Sequence, residues 1–204
     1  MKHKFTFGFI GAFASLPEIE LLEKLIISFA KGKESPHFLI IGDGLLLQGL
    51  KENLQKSDSC KNLVTFTGKV LEKQRTEYLA KCDTYLCPTQ PDQDILPIRL
   101  FEYMSMAKPI IASSLEHFTK IINPAVNITG EQTLVPLVVN DEAGVLIDPL
   151  DVQGFFNACR FCFYLSPEMR QKMGNNAHQK ALKIIDGKSI QAHGPLSKHA
   201  VNHD

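Results

Sequence analysis

The alternation of short apolar runs with helix-patterned segments is what most constrains the fold of this chain. The first apolar run, Phe5–Phe13, is followed by Pro17–Ala30, in which apolar residues recur at helical spacing. The second run, Phe38–Ile41, is continuously apolar, as is typical of a strand buried on both faces of a sheet. Further strand-like runs, with helical patterns between them, are Leu63–Phe66, Thr84–Cys87, Pro109–Ala112 and Gly144–Ile147. We therefore predict an α/β fold with a mostly parallel, six-stranded sheet and helices on both faces.

The same pattern indicates one domain followed by a tail. The rhythm holds from residue 1 to about residue 186, except at residues 123–141, where Pro124, Asn127, Gly130 and Pro136 are mixed with the apolar run Leu134–Val139. We interpret residues 123–141 as an inserted loop. Residues 187–204 show little periodicity and are predicted to form a loosely ordered tail.

Composition excludes several classes of function. The 22 basic residues balance the 22 acidic residues, so no net field favours nucleic acid or an anionic membrane. No apolar run reaches the roughly 18 residues of a membrane span. The five cysteines are odd in number and lack the spacing of secreted domains, which indicates reduced thiols in the cytoplasm. Cys159 and Cys162 form a C-x-x-C within an apolar helical pattern, so we predict core thiols rather than a metal site.

The strand ends converge on one crevice. In open parallel sheets, ligands bind outside the carboxyl ends of the strands, where the strand order reverses. Gly11, Gly42, Gly68, Pro88 and Asp94 all follow predicted strands. The sequence therefore predicts a ligand site at this edge.

Two carboxylates near that edge, Asp94 and Glu102, are separated by seven residues. Pro97 suits the first turn of a helix, and the free N–H groups near Ile98 and Arg99 would then face the crevice. A carboxylate accepts paired hydrogen bonds from neighbouring hydroxyls, so both acids suit a sugar or a ribose. The alternative is that both are surface acids beside a helix.

The segment that holds these acids, DILPIRLFEYMSMAKPIIAS, resembles the donor-site segment of family-4 (group 1) glycosyltransferases. Other segments resemble that family in the family's own order, over most of residues 5–185. They are FLIIGDG, VTFTGKV, EYLAKCDTYLCPT, AGVLIDPLD and PEMRQKMGNNAHQKAL.

The resemblance implies a Rossmann-like, C-terminal donor-binding domain of a retaining glycosyltransferase. Such an enzyme moves a sugar from a nucleotide diphosphate sugar to an acceptor glycan or lipid, without a bound metal or cofactor. Glu102 would bind the ribose, and Asp94, which replaces the usual glutamate, would bind the transferred sugar. Backbone groups at Ile95, Leu96 and Ile98 would line the sugar and phosphates. The loop Gly68–Leu71 would border the base, with Val70 as the main contact.

The loop after the first strand departs from the family pattern. The family has an arginine and a lysine there to hold the diphosphate, whereas this chain has no basic residue between Gly11 and Lys24. Glu18 and Glu20 carry the opposite charge. Arg99 is the candidate replacement, with Lys69 and Lys73 as others. The missing basic residues leave a degenerate, non-catalytic domain open as an alternative. A second alternative is another Rossmann-like sugar-nucleotide enzyme, such as a sugar-nucleotide 2-epimerase of similar two-domain fold.

The resemblance also implies a partner. The family's acceptor-binding domain is expected to precede Met1, and we expect the isolated donor domain to transfer no sugar. The family further implies polysaccharide or lipid-linked glycan synthesis in the cytoplasm, at the inner face of a membrane, with any peripheral membrane contact made by the other half.

Overall fold

The computed structural model of the chain describes residues 4–90, 98–131 and 138–192, with side chains as far as residue 186. Within these ranges the strands are β1 (Thr6–Gly11), β2 (His37–Gly42), β3 (Val64–Phe66), β4 (Thr84–Cys87), β5 (Ile110–Ser113), β6 (Val126–Asn127) and β7 (Val145–Ile147). The helices are α1 (Leu16–Lys31), α2 (Leu47–Gln55), α3 (Asp58–Lys61), α4 (Glu72–Ala80), α5 (Ile98–Ser105), α6 (Glu116–Ile122), α7 (Val152–Tyr164) and α8 (Pro167–Ala192).

The strands form one sheet in the order β3-β2-β1-β4-β5-β7-β6, and each strand pairs in parallel with its neighbours. The predicted α/β class is confirmed. The predicted strand number was wrong, because the described residues form seven strands rather than six. The additional strand, β6, lies inside the expected insertion at 123–141 and pairs with β7 through Val126–Val145 and Asn127–Leu146. Two residues are too few for an alternating pattern to show in the sequence.

Helices cover both faces of the sheet, as predicted. Successive strand residues point to opposite faces, so Phe7 and Phe9 of β1 pack with α1, α2 and α7 on one side. Tyr85 and Cys87 of β4 pack with α4, α5, α6 and α8 on the other. Each face thus has its own apolar core, and the continuous apolar runs in the sequence reflect this double burial.

Cys159 and Cys162 lie in the first of these cores. Both are free thiols with no exposed surface, which confirms the prediction of core thiols. Burial raises the pKa of Cys159 well above its ordinary value and raises that of Cys162 to about 12. Both thiols are therefore protonated and unreactive near neutral pH.

The end of the described chain is helical. α8 continues to Ala192, past Gly187, where the sequence pattern indicated the start of a tail. The rest of that tail lies outside the described residues. None of the helices described is long and apolar enough to cross a membrane.

Candidate functional site

A cleft of about 760 Å³ opens at the carboxyl edge of the sheet, between the ends of β1 and β2 and the start of α5. β2 and β3 extend the sheet from one side of β1, and β4 extends it from the other, so the cleft lies at the point where strand order reverses. Its lining residues are Ile10, Gly11, Ala12, Ile41, Gly42, Asp43, Lys69, Val70, Arg75, Ile98, Arg99 and Glu102.

The floor of the cleft is backbone packed on backbone. Gly42 has φ +121°, and a Cβ atom there would lie 2.2 Å from the carbonyl oxygen of Gly11. A Cβ at Gly44 would lie 1.9 Å from the carbonyl oxygen of Ala12. Only glycine fits at either position, because the clashing atoms belong to the main chain. The Gly42-Asp43-Gly44 turn therefore holds the loops after β1 and β2 in direct contact.

The loop after β3 forms the next part of the wall. Gly68 forms an isolated bridge with Gly42, and the Thr67 hydroxyl accepts a hydrogen bond from the Gly42 N–H at 3.3 Å. Lys69 and Val70 follow and line the cleft, whereas Gly68 itself does not. The predicted base-binding loop is thus beside the cleft, with Gly68 attaching it to the floor.

The opposite wall is α5, and Tyr103 attaches it to β1. The Tyr103 hydroxyl accepts a hydrogen bond from the Ile10 N–H at 2.8 Å. β1 and β4 pair at Phe7–Thr84 and Gly8–Tyr85, so this contact lies just beyond their paired region. The Tyr103 ring is buried and stacks on Tyr85, with centroids 4.5 Å apart. Tyr103 therefore fixes the helix that carries Arg99 and Glu102 where the two strands separate.

Glu102 projects from α5 towards α4. Its Oε1 lies 3.4 Å from Nη1 of Arg75, and both side chains are partly exposed at the cleft. An ionised carboxylate has about four acceptor positions, so this contact leaves room for the hydroxyls of a ligand. The pair also places a cation directly beside the acid.

Arg99 forms a second ion pair, with Glu18 in the first turn of α1. The Arg99 Nη1 lies 3.4 Å from the Glu18 Oε1. Glu18 is nearly inaccessible to solvent, and burial raises the pKa of its carboxyl although the Arg99 charge acts in the opposite direction. The guanidinium also lies over the Phe9 ring, 5.2 Å from its centroid. Arg99 thus reaches the cleft already in contact with a buried acid.

The structure brings together most of the predicted site residues. Those that line the cleft are Gly11, Gly42, Val70, Ile98, Arg99 and Glu102. Asp94, Ile95 and Leu96 lie outside the described residues. Among the residues described, no group of three or more His, Cys, Asp or Glu side chains is placed to hold a metal ion.

Sequence reasoning missed Arg75 and the burial of Glu18. Arg75 lies on α4, a helix with weak amphipathic pattern, and pairs with a residue 27 positions away. Glu18 and Arg99 are 81 positions apart. No local spacing rule connects such residues. The one available signal was that Arg99 and Glu102 both follow a predicted helix start at the crevice.

Comparison with known families assigns most of the chain. Residues 4–163 match the family described as glycosyl transferases group 1. No curated protein matches the sequence significantly.

Solved structures share the fold. HepE of Anabaena, solved with UDP and glucose, is 17% identical with a TM-score of 0.67, covering 93% of this chain and 48% of HepE. A glycosyltransferase of Rickettsia africae is 14% identical with a TM-score of 0.71, covering 98% of this chain and 50% of the other. The C-terminal domain of LpcC, a group 1 family protein of Francisella tularensis, is 16% identical with a TM-score of 0.61, covering 88% and 85%. The chain thus spans about half of the first two proteins but most of that isolated domain.

Proposed function

The chain belongs to the group 1 glycosyl transferases, and on that premise we propose that it is the domain that binds the nucleotide diphosphate sugar of a retaining glycosyltransferase. The observation that carries the proposal is the position of Glu102. Its carboxylate lines a cleft at the strand-order reversal, across from the Lys69–Val70 loop. That arrangement suits a nucleoside, with the ribose hydroxyls on Glu102 and the base against Val70.

The cations of the cleft support a diphosphate next to the nucleoside. Lys69, Arg75 and Arg99 all line it, although the loop after β1 contributes no basic side chain. Their positive charge would stabilise the negative charge that develops on the leaving diphosphate. Asp94, with the backbone of Ile95, Leu96 and Ile98, is proposed to hold the transferred sugar. The UDP and glucose bound to HepE make a UDP-hexose the first donor to test.

A second, acceptor-binding domain is proposed to face the cleft and to hold an acceptor glycan or lipid. Leucine and isoleucine side chains that are 56% to 93% exposed surround this edge of the sheet, at Leu16, Leu45, Leu71, Ile98 and Leu150. Exposed apolar groups gathered on one side of a domain are typical of an interaction surface. Transfer is proposed to need both domains, in polysaccharide or lipid-linked glycan synthesis.

Isothermal titration with UDP, GDP and ADP and their sugar conjugates tests the proposal. We expect the nucleoside diphosphate of one base, and its sugar conjugate, to bind. Glu102→Gln should weaken that binding at least about tenfold, because a hydrogen bond to a charged group contributes roughly 1.5–3 kcal/mol. Glu116→Gln is the matched control, since Glu116 lies outside the cleft lining and pairs with Lys120 on its own helix. Binding that is equal in the Glu102 variant and the parent chain would refute the assignment.

A non-catalytic donor-like domain is the second candidate. The observation that favours it is the Glu18–Arg99 pair, which places a buried acid against a cation of the cleft. This candidate would be supported if the chain bound both a donor and its acceptor-domain partner and the assembly transferred no sugar. Sugar transfer by the two-domain assembly would exclude it.

A further inference from the structure

The Glu18–Arg99 pair spans the border between the core and the cleft. Arg99 lines the cleft with a side chain that is 20% exposed, whereas the Glu18 side chain is 5% exposed and is not part of the lining. Glu18 therefore contacts Arg99 without lining the cleft. An anion in the cleft would contact Arg99 and feel the charge of Glu18 without touching it.

Three of the described groups beside this pair, Tyr103, Cys87 and Phe9, carry no charge. Burial raises the pKa of Tyr103 well above its ordinary value and raises that of Cys87 to about 12, so both are protonated at neutral pH. Phe9 contributes only its ring face. Glu18 is nearly inaccessible to solvent, so its charge acts on Arg99 more strongly than it would in water.

We propose that Glu18 is a specificity-determining residue of the cleft, because it competes with the phosphates of the donor for the charge of Arg99. The cleft then accepts less negative charge than its three cations would allow by themselves. This inference rests on the proposed function, and it concerns how strongly the phosphates contribute to binding rather than whether a nucleoside binds.

Geometry separates this role from a positioning role. A carboxylate that orients an arginine usually does so through short contacts of about 2.7–2.9 Å, often two in parallel. The Glu18–Arg99 contact is 3.4 Å and involves one nitrogen, so its directional effect is weak. Its charge, in contrast, acts on everything within about 10 Å, which is the screening length at 0.1 M salt.

The test substitutes Glu18→Gln, which keeps the shape and an acceptor oxygen but removes the charge. Isothermal titration compares UDP, GDP and ADP, each against its own nucleoside, in the parent chain and the variant. The control is Glu20→Gln, because Glu20 lies on the same helix, is 54% exposed and pairs with Lys24 at 3.8 Å. Circular dichroism and thermal melts establish that each variant is folded.

We expect Glu18→Gln to bind the preferred nucleoside diphosphate roughly tenfold more tightly than the parent chain does. This is the effect expected when one negative charge about 10 Å from the phosphates is removed. Affinity for the nucleoside should not change, and Glu20→Gln should match the parent. Weaker diphosphate binding in Glu18→Gln would show that Glu18 positions Arg99, and equal binding would show that the charge has no effect. Either result overturns the inference.

A measurement on the parent chain serves if Glu18→Gln does not fold. A nucleotide diphosphate sugar keeps both phosphate charges from neutral to mildly acidic pH, while protonation of Glu18 would end the competition. Affinity for the conjugate should therefore rise relative to the nucleoside as pH falls, and a fall would contradict the inference. The other charged groups of the described cleft lining, Asp43, Lys69, Arg75 and Glu102, also act on the phosphates. The same titration in Asp43→Asn and Glu102→Gln separates their contribution, and a rise that disappears in either variant would contradict the inference.

The two proposals fail differently. If neither nucleosides nor nucleotides bind to the parent chain or the Glu18 variant, the donor-site function itself is wrong, and this inference with it. If nucleosides bind and the phosphate contribution is the same with and without Glu18, only the inference fails.

Discussion

Replacing Tyr103 by phenylalanine removes one oxygen atom from the wall of the cleft and leaves the buried ring in place. The lost contact is the 2.8 Å hydrogen bond from the Ile10 N–H, while the stack on Tyr85 can persist. A hydrogen bond of this kind contributes about 0.5–1.5 kcal/mol net, and a fully buried orphan donor costs about 1–3 kcal/mol. The Ile10–Tyr103 contact is part-buried, so the loss should lie between these limits, and we expect the free energy of unfolding to fall by about 1 kcal/mol.

The stronger expectation concerns ligand binding. Tyr103 attaches α5 to β1, and α5 carries Arg99 and Glu102, so the variant should hold both side chains less firmly. If fixing Arg99 and Glu102 on binding then costs a further 1 kcal/mol or so, beyond the loss in the free protein, nucleotide affinity falls about fivefold. Urea denaturation measures the stability term, and isothermal titration with the preferred nucleotide measures the affinity.

Tyr85→Phe provides the matched control. Its hydroxyl donates a 2.8 Å hydrogen bond to the Leu79 carbonyl oxygen, and its ring belongs to the same stack. That contact is buried and away from the cleft lining, so the control should lose about 1–2 kcal/mol of stability and no affinity. Equal affinities in the two variants, or a larger loss in Tyr85→Phe, would refute the role given to Tyr103.

Two further predictions concern the floor and the back of the cleft. Gly44→Ala should lower the free energy of unfolding by more than about 2 kcal/mol, because the added Cβ would clash with backbone atoms. Gly49→Ala on α2 places its Cβ with no atom within 4 Å and should raise the free energy of unfolding by about 0.5–1 kcal/mol. Urea denaturation measures both values, and similar values for the two variants would contradict the packing argument. Because burial raises the pKa of Glu18, its contribution to stability is greatest below the ordinary value of 4.5 and is lost as pH rises through the raised value. Denaturation across pH should therefore show Glu18→Gln gaining on the parent towards neutral pH, and a gain towards acid would reverse the sign of the argument.

The fold was predictable from the sequence because its signals are local. Phe38–Ile41 is apolar on both faces, which marks an interior strand wherever the chain later places it. β6 was not predicted, for the opposite reason. Its two residues form a strand only by pairing with β7, which lies further along the chain. Strand formation there depends on a neighbour that sequence periodicity does not reveal.

The candidate site was predictable only in part. Glu102 and Arg99 were found because both follow one helix start at the strand ends. Their partners, Arg75 and Glu18, come from other helices and meet them through folding alone. Sequence reasoning therefore identified the groups that face the ligand, but not the opposite charges that modify them.

The early end of the β1–β4 pairing has a mechanical consequence. β1 pairs with β2 as far as Gly11–Gly42, but with β4 through Phe7 and Gly8. Beneath the crevice the sheet is thus joined by only two residue pairs, with β3, β2 and β1 on one side and β4, β5, β7 and β6 on the other. The Tyr103–Ile10 hydrogen bond and the Glu18–Arg99 pair are further contacts across that line. A ligand that contacts both sides of that line would add contacts between the two parts of the sheet. Binding in the cleft would therefore restrict the motion of β1 relative to β4.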